Sequence, residues 1–180
     1  MSACSSSGPK LTAPTHAYRE ALQRTDPAER EGLEPGSEAE QEAIQRVIDL
    51  FAVFSEENVS QRVRGVYADT LFFRDGFKEF HEIDPLAEYM IESTKPLREC
   101  TFDFEEPVIN DGDYYLRWTM NVSLNSDPEG YMDRAIGMSH IRFNQEGKVI
   151  FQQDYWDPTD VLYDRIPVAN WLIKKVKERL

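Results

Sequence analysis

The sequence predicts an α+β domain, with helices in its first half and a strongly curved antiparallel sheet in its second. Three observations carry this. Apolar residues recur at helical spacing between Ser37 and Phe54. After Cys100, long strand-like runs follow one another through short turns rich in Asp, Gly and Pro. The helical and strand-like segments are segregated along the chain, which argues against alternating βαβ units.

Composition narrows the setting. A chain of 180 residues, 41% of them hydrophobic, has the size and apolar content of one globular domain. Its net charge of −13 argues against nucleic acid and anionic membranes as main partners, because both need a basic face. Cys4 and Cys100 lie far apart, so no disulfide framework is expected. With no apolar signal stretch at the N-terminus and no run long enough to span a bilayer, we expect a cytoplasmic protein.

The elements follow in order. Met1–Gly36 is rich in Ser, Pro, Glu and Gly and is expected to stay disordered, with at most a short helix around Ala17 to Arg24. The folded domain is therefore expected over 37–180. Ser37 and Glu40 form a capping box, and Ile44, Val47, Ile48, Phe51 and Phe54 then share one helical face. A second helix through "VSQRVRGVYAD" buries Val59, Val63, Val66 and Tyr67, and "TLFFRDGFKEF" is extended. In "DPLAEYMIES", Asp84 is the expected N-cap and Pro85 the first residue of a third helix. The strands are "CTFDFEEPVIN", "DYYLRWTMNVSL", "YMDRAIGMSHIRF" and "KVIFQQDYW", with turns at Asp111-Gly112 and Glu146-Gly147. "TDVLYDRIPVANWLIKKVKERL" is expected to end in a helix bearing Lys174, Lys175, Lys177 and Arg179.

Two of these segments resemble a known superfamily. "VYADTLFFRD" and "SHIRFNQEGKVIFQQDYWD" are similar to the helix-to-strand passage and the last hairpin of nuclear transport factor 2-like domains. Ketosteroid isomerases, limonene-epoxide hydrolases and SnoaL-like polyketide cyclases share that fold. The resemblance covers roughly residues 37–157. It implies a cone-shaped domain in which three N-terminal helices and the concave face of the sheet enclose an apolar pocket for a small molecule. It implies also that the convex face often forms a homodimer. If the hairpin matches, Ser139 and Ile141 point inward on one strand and Gln152, Asp154 and Trp156 on the next. Tyr115, Arg117 and Thr119 are expected to do so on the preceding strand. Asp154 and Trp156 would then be floor and wall of the pocket.

Each catalytic template of the superfamily is matched in part. The isomerase base falls on Asp75, but the tyrosine and acid positions hold Phe51 and Ser139, so the oxyanion donors that dominate enolate chemistry are missing. The epoxide hydrolases' water-activating run resembles Asp154-Tyr155-Trp156-Asp157, with Arg117 as its orienting arginine. Thr119 stands where the general acid should be. The cyclases use a pocket Asp with polar helpers, here Asp154 or Asp75, with His81 nearest the expected mouth.

The candidates are thus Asp154, Asp75 and Arg117 for chemistry, and Phe51, Tyr115, Thr119, Ser139, Ile141, Gln152 and Trp156 for the lining. Their plainer reading is a buried Asp154–Arg117 ion pair, a turn carboxylate at Asp75 and a core Trp156. No metal motif, Gly-rich phosphate loop or nucleophile elbow is present, and no cofactor is expected. On the same parity Tyr114, Trp118, Met120, Met138 and Tyr155 face outward, a patch that would suit a homodimer.

Overall fold

The computed structural model describes residues 13–158 together with Val161 and Lys175. Helices α1 (Ala13–Arg24), α2 (Glu38–Ala52) and α3 (Glu56–Val66) precede β1 (Tyr67–Arg74) and β2 (Glu79–Glu82). Helix α4 (Ile83–Thr94) leads into β3 (Leu97–Phe104), β4 (Val108–Asn110), β5 (Asp113–Leu124), β6 (Asp133–Phe143) and β7 (Val149–Trp156). The C-terminal helix expected from the sequence lies outside the described residues, Lys175 excepted. No helix among the described residues is long and apolar enough to cross a membrane.

Helix α2 begins where the capping residues place it. Ser37 Oγ accepts from the Glu40 N–H at 3.2 Å, while the Glu40 carboxylate accepts from the Gly36 N–H at 2.7 Å, one residue before the usual partner. The other Glu40 oxygen accepts from the Tyr114 hydroxyl at 2.7 Å, so a capping side chain also pins the helix to the sheet. At the far end, the Asn58 amide donates to the carbonyls of Asp49, Leu50 and Val53, each at 2.9 Å. These are helix-end acceptors that would otherwise lack partners. Asp84 is not the N-cap of α4. That helix starts at Ile83 after Glu82, and Asp84 sits in its first turn, paired with Arg64 at 2.5 Å. Ile83 is buried, and its packing draws the helix start back toward β2.

The seven strands form one sheet in the order β2-β1-β7-β6-β5-β3, with β4 paired to β5. All pairs are antiparallel except β1 and β7, which run parallel, so the sheet is mixed rather than wholly antiparallel. Helices α2, α3 and α4 cover its concave face. There Val47, Leu50, Val59, Leu86, Leu116 and Ile141 form a core with almost no exposure.

The other face is covered in part by a segment expected to stay disordered. Helix α1 packs Ala21 against Phe72 and Phe151, both fully buried, with Tyr18 at the edge of the cluster. The Arg142 guanidinium donates to the Leu22 carbonyl at 2.7 Å and to the Thr25 hydroxyl at 3.2 Å. Asp113 receives Arg142 at 2.5 Å and His140 at 2.6 Å from the sheet side. The helix face is narrow, built on Ala17, Tyr18 and Ala21, and sequence periodicity therefore understates it. Its apolar partners come from β1 and β7, far along the chain.

Candidate functional site

The site grows from the pairing of β6 with β7. Antiparallel register sets Ser139 opposite Asp154, Ile141 opposite Gln152 and Gly137 opposite Trp156, and facing residues share a side of the sheet. Ser139 Oγ donates to Asp154 Oδ1 at 2.7 Å, and the Gln152 amide donates to the same oxygen at 2.9 Å. Behind them, the Trp118 indole N–H donates to Ser139 Oγ at 3.0 Å, and the Tyr67 hydroxyl donates to the Gln152 carbonyl at 2.7 Å. Both side-chain bonds to Asp154 end on Oδ1, which leaves Oδ2 of this cavity-lining residue without a hydrogen bond from the described residues.

Asp75 reaches the same cavity from the turn after β1. Its Oδ1 accepts from the N–H groups of Phe77 and Lys78 at 2.9 and 3.0 Å, and Gly76 supplies the left-handed residue of that turn at φ 94°. Its Oδ2 accepts from the Tyr89 hydroxyl of α4 at 2.5 Å, and its carbonyl accepts from the Trp156 indole N–H at 2.7 Å.

The cavity measures about 450 Å³ and is walled mainly by apolar side chains, with the rings of Phe51, Phe54, Phe73, Phe102, Trp118 and Trp156 among them. Phe51 stacks on Phe54, and Phe102 meets both rings edge-on. Trp118, Met120, Val122 and Leu124 line it along β5. At a strand's rise of about 3.4 Å per residue that row extends roughly 20 Å, so the space is elongated. Val161, beyond β7, is buried against its wall.

Enclosure sets the electrostatics. Burial pushes the Asp154 carboxyl up from its ordinary 3.8 to about 7. The hydrogen bonds from Ser139 and Gln152 pull it down, and the Asp75 carboxylate adds to the rise. Asp154 as a whole is half-buried and lines the cavity. Burial also lifts the Tyr89 hydroxyl well above its ordinary value, helped by the bond to Asp75, and pushes the Cys100 thiol up to about 12.

The expected site residues divide. Asp154, Asp75, Phe51, Ser139, Gln152 and Trp156 all line the one cavity. Ile141 points inward but is wholly buried in the main core, outside the cavity lining. Arg117, Tyr115 and Thr119 lie on the outer face. Arg117 pairs there with Glu105 at 2.9 Å, and Tyr115 stacks on the His140 ring with centroids 4.7 Å apart. Asp154 therefore has no arginine partner at Arg117. Thr119, facing away, leaves the general-acid position of the epoxide hydrolases unfilled.

The cause is the register of β5 with β6, which sets Leu116 against Ser139 and Trp118 against Gly137. Even-numbered residues of β5 share a face with odd-numbered residues of β6, and the connection over residues 125–132 decides that parity. The same shift turns Trp118 and Met120 inward, off the patch expected to form a homodimer. His81 is exposed beside Glu79 and takes no part.

Three contributors escape the sequence reading. Trp118 was legible in principle: Tyr114, Leu116, Trp118 and Met120 form the apolar half of β5, opposite Arg117 and Asn121. Gly137 matters because a Cβ there would collide with the Trp118 ring. Tyr89, within α4, meets Asp75 only through the tertiary fold. Among the described residues, no group of three or more His, Cys, Asp or Glu side chains could hold a metal ion.

The architecture is that of the nuclear transport factor 2-like α+β cone fold. Solved structures bear this out. A nuclear transport factor 2-like protein of unknown function from Exiguobacterium sp. 255-15 is 18% identical with a TM-score of 0.54, over 64% of this chain and 98% of that one. An LEH-like epoxide hydrolase from M. tuberculosis is 11% identical with a TM-score of 0.56, over 71% and 84%. A protein of ketosteroid isomerase-like fold from Catenulispora acidiphila is 9% identical with a TM-score of 0.57, over 67% and 89%. At these identities the likeness is one of fold. No family model and no curated protein matches the sequence.

Proposed function

We propose that this protein takes up a small, elongated, largely apolar molecule and that Asp154 exchanges a proton with that molecule's polar group. The observation that carries this reading is Asp154 itself. It is a buried carboxyl at the end of an aromatic cavity, with one oxygen held by Ser139 and Gln152 and the other idle. A carboxyl brought to about 7 is populated in both protonation states near neutrality, as proton transfer requires. Cofactor-free lyase, isomerase or hydrolase chemistry, with Asp154 as acid/base, is the second reading. The same value near 7 favours it, and the outward position of Thr119 weighs against epoxide opening by the known route.

One experiment separates binding from turnover. A panel of naphthyl alcohols, epoxides and enones is titrated against wild type and Asp154→Asn, following tryptophan fluorescence for binding and product formation for chemistry. Binding should quench the emission of Trp118 and Trp156. Under the catalytic reading, turnover of at least one compound should fall by about 10²–10⁴-fold in Asp154→Asn while binding persists. Turnover undiminished in the variant would refute a proton-transfer role for Asp154, and wild-type binding to no compound would refute the pocket.

A further inference from the structure

The hydrogen-bonding inventory of the cavity's polar end is lopsided. The Ser139 hydroxyl is committed to Asp154, the Trp118 indole to Ser139, the Trp156 indole to the Asp75 carbonyl and the Tyr89 hydroxyl to Asp75. Apart from the second hydrogen of the Gln152 amide, what remains on offer when Asp154 is ionised is an acceptor, its Oδ2. A ligand whose polar group only accepts, such as a ketone or an enolate, meets no idle hydroxyl or indole donor there. A carboxylate ligand meets two carboxyl groups.

Charge sharpens the choice. Asp75 and Asp154 both face the cavity, and no Lys, Arg or His among the described residues lines it. Lys78 lies over the Tyr89 ring at 5.1 Å but is exposed and outside the lining. Burial, with the Asp75 carboxylate nearby and no cation in the lining, makes the charge on Asp154 costly, and a bound cation would offset that cost. Trp118, Trp156 and Phe77 line the same cavity, and aromatic rings are groups against which organic cations rest.

We infer that the natural ligand is an organic ammonium ion with an elongated apolar body, its N–H donated to Asp154 and its body lying along Met120, Val122 and Leu124. This rests on the pocket proposed above and names the class of molecule that fills it. The cation enters as a donor to the free Asp154 oxygen, and it brings the positive charge that the lining lacks.

The test uses three naphthalene probes of nearly equal shape on the full chain, by calorimetry at pH 8: 2-naphthylmethylamine, 2-naphthalenemethanol and 2-naphthoate. The amine should bind at least about tenfold more tightly than the alcohol, since a charge-assisted hydrogen bond is roughly twice as strong as a neutral one. Naphthoate should bind most weakly. In Asp154→Asn the amine's advantage over the alcohol should vanish, the two being compared within the one variant, with a tryptophan emission spectrum like that of wild type as the check that the pocket wall is kept. An alcohol or naphthoate that equals the amine in wild type overturns the ammonium assignment and leaves the pocket standing. An amine preference that survives in Asp154→Asn overturns it as well. Failure of all three probes to bind overturns the pocket along with it.

Discussion

Asp154→Asn should stabilise the protein at pH 8 and leave it nearly unchanged at pH 4. The substitution keeps the shape and the acceptor oxygen that Ser139 and Gln152 address, and it removes the charge. In the folded protein the Asp154 carboxyl titrates near 7, while in the unfolded chain it returns to its ordinary 3.8. Between those values the folded state binds the extra proton, so wild-type stability falls as pH rises from about 4 to about 7. Above 7 both states are ionised and the cost is complete. A displacement of about three pH units corresponds to roughly 4 kcal/mol. Asn escapes this cost but places an amide N–H₂ toward the cavity, so the net gain at pH 8 should be about 2–4 kcal/mol. Urea unfolding of both proteins from pH 4 to pH 8 measures it, because the difference between them cancels every other titrating group. A loss of stability of about 3–5 kcal/mol at pH 8 would refute the reasoning, since that is what breaking a buried ion pair costs, and would mean that a cation faces Asp154.

Two further expectations test the supports of the site. Gly137→Ala drives a methyl into the Trp118 ring, so it should displace the indole from Ser139, shift tryptophan emission and cost about 1–3 kcal/mol by overpacking. An unchanged emission spectrum would show that the ring is not held there. Ala21→Glu puts a carboxylate between α1 and the Phe72–Phe151 pair, so the melting temperature should drop by about 5 °C or more. An unchanged melting temperature would mean that α1 contributes nothing to the fold.

The sequence by itself determined a good deal of this protein. Helices α2, α3 and α4 and the β6–β7 hairpin announce themselves, because local periodicity, caps and turn residues act within a few positions of one another. The inward set Ser139, Gln152, Asp154 and Trp156 follows from a short turn, since strand alternation holds across a tight hairpin. Only the tertiary structure decided the rest. The face that Arg117 and Thr119 occupy depends on how β5 registers against β6 across a longer connection, and one step of register exchanges every side chain between pocket and surface. The docking of α1 depends on Phe72 and Phe151, which no window around Ala21 contains. Asp154 is an ordinary aspartate in the sequence. Its proton affinity near neutrality comes from enclosure by residues of β1, β5, β6 and the turn at Asp75, because removal from water acts through space and not along the chain.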